Sequence, residues 1–244
     1  MTQLNRRHRV LLFLTGLVSL VLGYSMAGSN PVALKVLDIS YLLVLSYGPF
    51  TVYGNRQALV RSLTFGVPAA ILTYHVITNP SSAVFQAAIF SWILFNGSCA
   101  WWLAQDLNRQ DYDGPEHLYA GIATYLLVGT TFAAVHALVY SLDVQAYKGL
   151  DSANEMNTIW VQMIYFSFVT LTSTGYGDIL PATPLARFFA VVEAVMGMLV
   201  VAILISRLVS AIPAGHTARS GKKRRTRVPD RISERPKDDR LPPG

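Results

Sequence analysis

From Val10 to Ala27 the chain runs for eighteen residues without a charged side chain, and an apolar stretch of that length reads as a segment able to cross a lipid bilayer. Comparable apolar blocks follow at Val32 to Tyr53, Leu63 to Ile77, Val84 to Leu103, Leu118 to Leu142 and Leu185 to Ile212. In hydrocarbon every backbone polar group needs a partner inside the protein, so such blocks are expected to be helices. The sequence therefore predicts an all-α membrane protein with six transmembrane helices, which places both termini on one side.

Composition agrees with a lipid environment. Hydrophobic residues make up 52% of the chain and charged residues 14%, well under the roughly 25% charged residues of an ordinary soluble domain. The net charge is +6, but ten of the twenty basic residues lie between Arg219 and Arg240, beyond every apolar block. The basicity thus belongs to a tail, and no nucleic-acid partner is expected. The single cysteine, Cys99, lies within an apolar block and reads as a packing residue rather than part of a disulfide framework.

The N-terminus also resembles a signal peptide, because Arg6, Arg7 and Arg9 precede an apolar run ending at Ser25-Met26-Ala27. The run exceeds the usual length of about 7 to 15 residues for such a segment, and further spans follow, so it is read as a retained first helix. Arg6, Arg7, Arg9, Arg56, Arg61, Arg109 and the basic tail fall on one side of the predicted topology, while Lys35, Lys148 and Arg187 lie on or near the other. Basic residues favour the cytoplasmic side, which predicts a multi-pass cell-membrane protein with both termini cytoplasmic. The tail holds Lys222-Lys223-Arg224-Arg225 among Pro, Asp, Glu and Ser. That composition cannot build a core and suits contact with anionic membrane lipid.

These readings divide the chain into a basic N-terminus (1–9), a four-helix transmembrane unit (10–103), a cytoplasmic linker (104–117), a final transmembrane unit (118–212) and a disordered basic tail (213–244). Within the final unit, Trp160 to Leu171 is apolar but too short to cross about 30 Å of hydrocarbon at 1.5 Å per residue. It is expected to be re-entrant. Irregular backbone at membrane depth is tolerated where it lines a water-filled path or is buried in protein. The external loop before it carries Asp143, Asp151 and Glu155, which would concentrate cations at an outer mouth.

Directly after this short helix comes Thr170-Leu171-Thr172-Ser173-Thr174-Gly175-Tyr176-Gly177-Asp178. A site that strips water from a cation must replace the hydration oxygens, and inward-pointing carbonyls on one strand can do so. Aiming successive carbonyls the same way requires left-handed backbone, which glycine adopts readily and other residues resist. Gly175 and Gly177 meet that need. Tyr176 between them would point into the surrounding protein as a lateral brace, and Ser173 can add its hydroxyl at the inner end. The short helix would aim the negative end of its dipole, with Thr170 and Thr172 nearby, toward a cavity holding a cation.

This stretch resembles the selectivity filter of the tetrameric potassium-channel family, whose familiar core is Thr-Val-Gly-Tyr-Gly. The resemblance runs from about Tyr165 to Leu208 and includes Pro181, Arg187 and Gly197. It implies a homotetramer with K+ as the permeant ion, no cofactor, and K+ held by Ser173, Thr174, Gly175 and Tyr176, with Gly177 completing the filter. It further implies a gate hinge at Gly197, with close helix packing as the alternative role for so small a residue. Met198, Val201 and Ile205 would line a cavity below the filter.

The sequence departs from the family pattern in three places. Ser173 and Thr174 stand where Thr and Val are usual, Tyr165 and Phe166 where tryptophans are common, and Val169 where some members carry a glutamate. The resemblance leaves Tyr165 as a candidate donor to Asp178. The span Val84 to Leu103 has none of the repeated arginines of voltage-sensing relatives, so weak voltage dependence is expected.

Among ionisable residues in the spans, Glu193 is the candidate buried acid, either a pH sensor or a carboxyl tying the last span to the re-entrant helix. Lys35 and Asp38 are three apart and are expected to pair. His75 and His136 lie in spans with no obvious partner spacing, read as satisfied packing or interfacial residues rather than ligands, and receive no function. The chain lacks HExxH, GxSxG and a phosphate-binding glycine loop, so it does not read as an enzyme.

Overall fold

The computed structural model describes residues 2–27, 30–53, 56–78, 81–106, 116–150 and 156–210. The acidic pair Asp151 and Glu155, Arg109, and the basic tail with its lipid contact lie outside the described residues. Seven helices are described: α1 (Thr2–Ala27), α2 (Pro31–Tyr53), α3 (Arg56–Thr78), α4 (Ser82–Asp106), α5 (Glu116–Leu142), α6 (Met156–Leu171) and α7 (Pro184–Ser210). A 3-10 turn at Val144–Ala146 follows α5, and two short strands, β1 (Tyr147–Lys148) and β2 (Leu180–Pro181), pair antiparallel with Tyr147 opposite Pro181.

Local chemistry sets several of these boundaries. Asn30 caps α2, its Oδ1 accepting from the amides of Val32 at 3.1 Å and Ala33 at 3.2 Å, and Pro31 occupies the first helical position, where its missing N–H leaves nothing unsatisfied. Asp143 caps the 3-10 turn by accepting from Gln145 N at 2.9 Å. Pro184 opens α7 directly after Thr183, whose carbonyl accepts from Arg187 N at 3.0 Å.

Four helices, with spans His8–Ala27, Ser82–Gln105, Leu118–Leu142 and Pro184–Arg207, are long and apolar enough to cross a membrane; the apolar part of α3 is the shorter Leu63–Val76. The helix α6 has 16 residues, about 24 Å at 1.5 Å per residue, and begins four residues before the apolar stretch that predicted it.

The helix α4 packs against α3 and α5, α1 packs against α2 and α5, and α5 reaches both α6 and α7. One buried cluster joins Leu17, Tyr41, Phe95, Leu127 and Ile164, from five helices. Its polar members are satisfied within it: Tyr41 bonds Asn96 Oδ1, and Asn96 Nδ2 donates to the Trp92 carbonyl at 2.9 Å. A second cluster, with Ala134, Tyr147, Met163, Phe166, Ile179 and Ala186, seats α6 against α5, α7 and the strand pair.

The expected Lys35–Asp38 pair is corrected here. Asp38 accepts from Tyr24 Oη across the α1–α2 contact at 2.6 Å, while Lys35 is exposed. Equal spacing on one helix gave the two residues a common face, but the neighbouring helix supplied a donor that Asp38 reaches without leaving the packed interface.

Candidate functional site

The C-terminus of α6 is closed by the residues that follow it. Thr172 N donates to Phe168 O at 3.1 Å, Ser173 N to Thr170 O at 2.9 Å, and Thr174 N and Gly175 N both to Val169 O, at 3.0 and 3.3 Å. Thr172 Oγ1 adds a bond to Phe168 O at 2.7 Å and contacts Thr174 Oγ1 at 2.9 Å. The helix carbonyls are thereby capped, as a helix end requires. Among the described residues no backbone amide donates to the carbonyls of Ser173, Thr174, Gly175 or Tyr176. The segment 172–178 is exposed throughout, with Tyr176 at 71%.

The backbone here alternates in sign. Ser173, Gly175 and Gly177 have φ of +56°, +58° and +81°, whereas Thr174 and Tyr176 between them do not enter that region. Alternating handedness turns peptide units that would otherwise point to opposite sides of a strand toward the same side. The two glycines were legible as left-handed positions; Ser173 was not, and a side chain there carries a cost of about 1–2 kcal/mol. A Cβ placed on Gly175 or Gly177 would meet no atom of the chain within 4 Å, so their requirement is conformational rather than steric.

Above this segment Tyr165 Oη, on α6, donates to Asp178 Oδ2 at 2.6 Å, and Ile179 N donates to Asp178 Oδ1 at 3.0 Å. The Tyr165 bond is the main cause holding the Asp178 carboxyl below its ordinary range, with the Ile179 amide contributing. The backbone of Asp178 also sits against Gly149, at φ +84°, where a Cβ would lie 1.8 Å from Asp178 O. Ala182 N donates to Ala146 O at 2.8 Å, extending the β1–β2 pairing. Replacing Tyr165 by Phe should free the carboxylate while keeping the ring, and the Asp178 carboxyl is expected to titrate higher, toward its ordinary range, when followed by NMR. An unchanged titration would show that the amide of Ile179 suffices to hold Asp178.

Behind the segment lies a polar cluster that spacing did not reveal. Ser167 on α6 donates from Oγ to Gly129 O on α5 at 2.6 Å, and its Oγ also contacts Glu193 Oε1 on α7. Glu193 Oε2 lies 2.8 Å from His136 Nε2, and His136 Nδ1 lies 2.7 Å from Tyr147 Oη on β1. Ser167, Glu193 and His136 are 0% exposed and Tyr147 5%. Phe166 packs edge-on against both the His136 and Tyr147 rings. His136, read as a satisfied packing residue, does find partners, but they are distant in sequence, and no helical periodicity links residue 136 to residue 193. Glu193 does bridge α7 to the short helix, through Ser167.

Gly197 lies against the end of α6, where an added Cβ would stand 2.2 Å from Leu171 O; the same carbonyl accepts from Tyr125 Oη at 3.3 Å. Met198, Val201 and Ile205 are exposed on α7 with respect to their own chain, and Thr170 is half-buried on α6. Among the described residues no group of His, Cys, Asp and Glu is arranged to hold a metal.

Residues 121–213, which contain all of this geometry, match the model of a family described as an ion channel. Over 96 residues the chain is 33% identical to two pore potassium channel c of Oryza sativa subsp. japonica, covering 39% of this chain and 19% of that protein. Over 90 residues it is 32% identical to two-pore potassium channel 5 of Arabidopsis thaliana, covering 37% of this chain and 20% of that one. The chain thus spans about a fifth of the length of these curated relatives. The matched region is thus similar to part of these potassium channels and to the ion-channel family model, and four of the described helices are long and apolar enough to cross a membrane.

Proposed function

We propose that this protein is a potassium-selective channel subunit in which K+ passes through a filter made of the carbonyls of Ser173, Thr174, Gly175 and Tyr176. The observation that carries the reading is the alternation of φ from Ser173 to Gly177 on an exposed segment whose carbonyls accept from no backbone amide among the described residues. Carbonyls so arranged replace the hydration shell of an entering ion. A single re-entrant segment per chain supplies one wall of a pore, so conduction needs copies arranged around an axis, and we assign a homotetramer. In this arrangement Tyr176 packs into the flank of the filter, Thr170 and Thr172 lie at its inner end, and Met198, Val201 and Ile205 face the cavity. Six spans, cytoplasmic termini and a tail resting on anionic lipid complete the topology.

The helix α4 has no lysine or arginine, and each charge moved across the field contributes about 2.3 kcal/mol per 100 mV. Opening is accordingly weakly voltage-dependent. A second reading, a weakly selective cation channel, is favoured by one feature: Ser173 is a non-glycine residue at φ +56°, beside Thr174, where the family pattern has valine.

Single-channel recording of the purified protein in a planar bilayer, with potassium on one side and sodium on the other, separates the readings. A reversal potential near the potassium equilibrium value, with little change in open probability across voltage, is expected. Reversal near zero with robust current would select the weakly selective channel, and a steep voltage-activation curve would overturn the assignment of α4.

A further inference from the structure

The cluster behind the filter contains more acceptors than an ionised glutamate can accommodate. Ser167 Oγ is in hydrogen-bond contact with two oxygens, Gly129 O and Glu193 Oε1. A serine has one hydroxyl proton, and a backbone carbonyl only accepts. With that proton given to Gly129 O, a carboxylate at Oε1 would face the Ser167 oxygen with no proton between them. The count closes only when the proton of the second contact comes from Glu193.

We infer that Glu193 is a neutral carboxylic acid whose Oε1–H donates to Ser167, and that it serves as a positioning residue for the helix beneath the filter. Every other bond then follows in one direction. Tyr147 O–H donates to His136 Nδ1, His136 Nε2–H donates to Glu193 Oε2, Glu193 Oε1–H donates to Ser167 Oγ, and Ser167 O–H donates to Gly129 O. His136, Glu193 and Ser167 each have one donor and one acceptor role filled, the histidine is a neutral tautomer, and no net charge is buried. The alternative, a glutamate–histidinium pair, places two charges in the membrane interior and still leaves Ser167 with one proton for two acceptors. Among the described residues His136 is the one basic group within ion-pairing distance of Glu193, and the other ionisable neighbours, Tyr147 and Tyr125, bring no positive charge.

The chain of bonds joins the strand β1, α5, α7 and α6 in that order of contact, so it fixes the rotation of α6 about its axis. Hydrophobic packing alone permits small rotations of a helix; directional bonds to Ser167 do not. The role rests on the channel reading, whereas the protonation state does not.

The test uses the full-length protein in lipid vesicles. Glutamine at position 193 is the neutral acid's counterpart, donating N–H to Ser167 and accepting from His136. Infrared spectra at neutral pH should show a protonated carboxylic C=O band that disappears in Glu193→Gln, and Glu193→Gln should keep potassium flux within about twofold of the parent, whereas Glu193→Leu loses it. Absence of a Glu193-dependent acid band would overturn the inference, as would an assembled Glu193→Gln protein whose flux falls more than about tenfold, the loss expected when a charged hydrogen bond is removed. The band is read without ion flow, so a parent protein that shows it but does not conduct would refute the channel reading and leave the protonation state standing.

Discussion

Gly175→Asp should abolish potassium-selective current while leaving the helical protein assembled. The residue has φ +58°, and nothing of its own chain lies within 4 Å of where a side chain would begin. Packing of the subunit is therefore untouched, and the cost is confined to the backbone. A residue with a Cβ loses about 1–2 kcal/mol in the left-handed region, and the penalty recurs in every copy around the axis. Relief comes by flipping the peptide units beside residue 175, which turns a carbonyl away from the ion. The aspartate adds a charge beside the path, so both the number of ligands and the local field change. Circular dichroism and size-exclusion profiles should match the parent, while potassium-driven flux falls to background. A variant that assembles and keeps the parental reversal potential would remove residues 173–177 from the conduction path.

The second large effect is expected at Gly197, where Ala should destabilise the protein and reduce current together. The obstacle to a Cβ is Leu171 O at 2.2 Å, with Leu171 C at 3.0 Å, and backbone cannot rotate aside as a side chain can. The contact must open, at a cost of about 1–3 kcal/mol for overpacking of this kind. Opening it separates α7 from the end of α6 and weakens the Tyr125 bond to the same carbonyl. Thermal unfolding in detergent should shift downward. This outcome distinguishes the packing role of Gly197 from a gate hinge: a hinge variant melts at the parental temperature but opens with altered probability.

How much of this was legible depends on how far apart in sequence the interacting groups lie. The left-handed backbone at Gly175 and Gly177 could be read because its cue is local: the two glycines flank one tyrosine in consecutive positions. The Tyr165–Asp178 bond, 13 residues apart, was reachable because the resemblance put both residues in one short motif. His136 and Glu193, 57 apart, sit on helices whose facing sides follow from tertiary packing, and both sides of each helix are apolar, so periodicity offers no guide. The same reason hid the Tyr24 partner of Asp38. The strands β1 and β2, of two residues each, are too short for any alternating pattern to register, although their pairing is what brings Gly149 against Asp178. Span counting worked best where a block was long and uncharged. It was least decisive at α2 and α3, which are not among the four helices long and apolar enough to span: α2 carries Lys35 and Asp38, and in α3 Arg56 and Arg61 lie in the first turns and Pro68 interrupts the apolar part.

The helix α7 has the most apolar span of the four able to cross a membrane, yet only 11% of that window is covered by its own chain, against 61% for α5. In water such a surface would demand immediate burial, but lipid tails are as apolar as leucine and exert no such demand. A newly made subunit can therefore leave the insertion machinery and diffuse in the bilayer as a single copy without exposing α7 to anything hostile. In the assembly proposed above, biosynthesis and pore formation are therefore separable events.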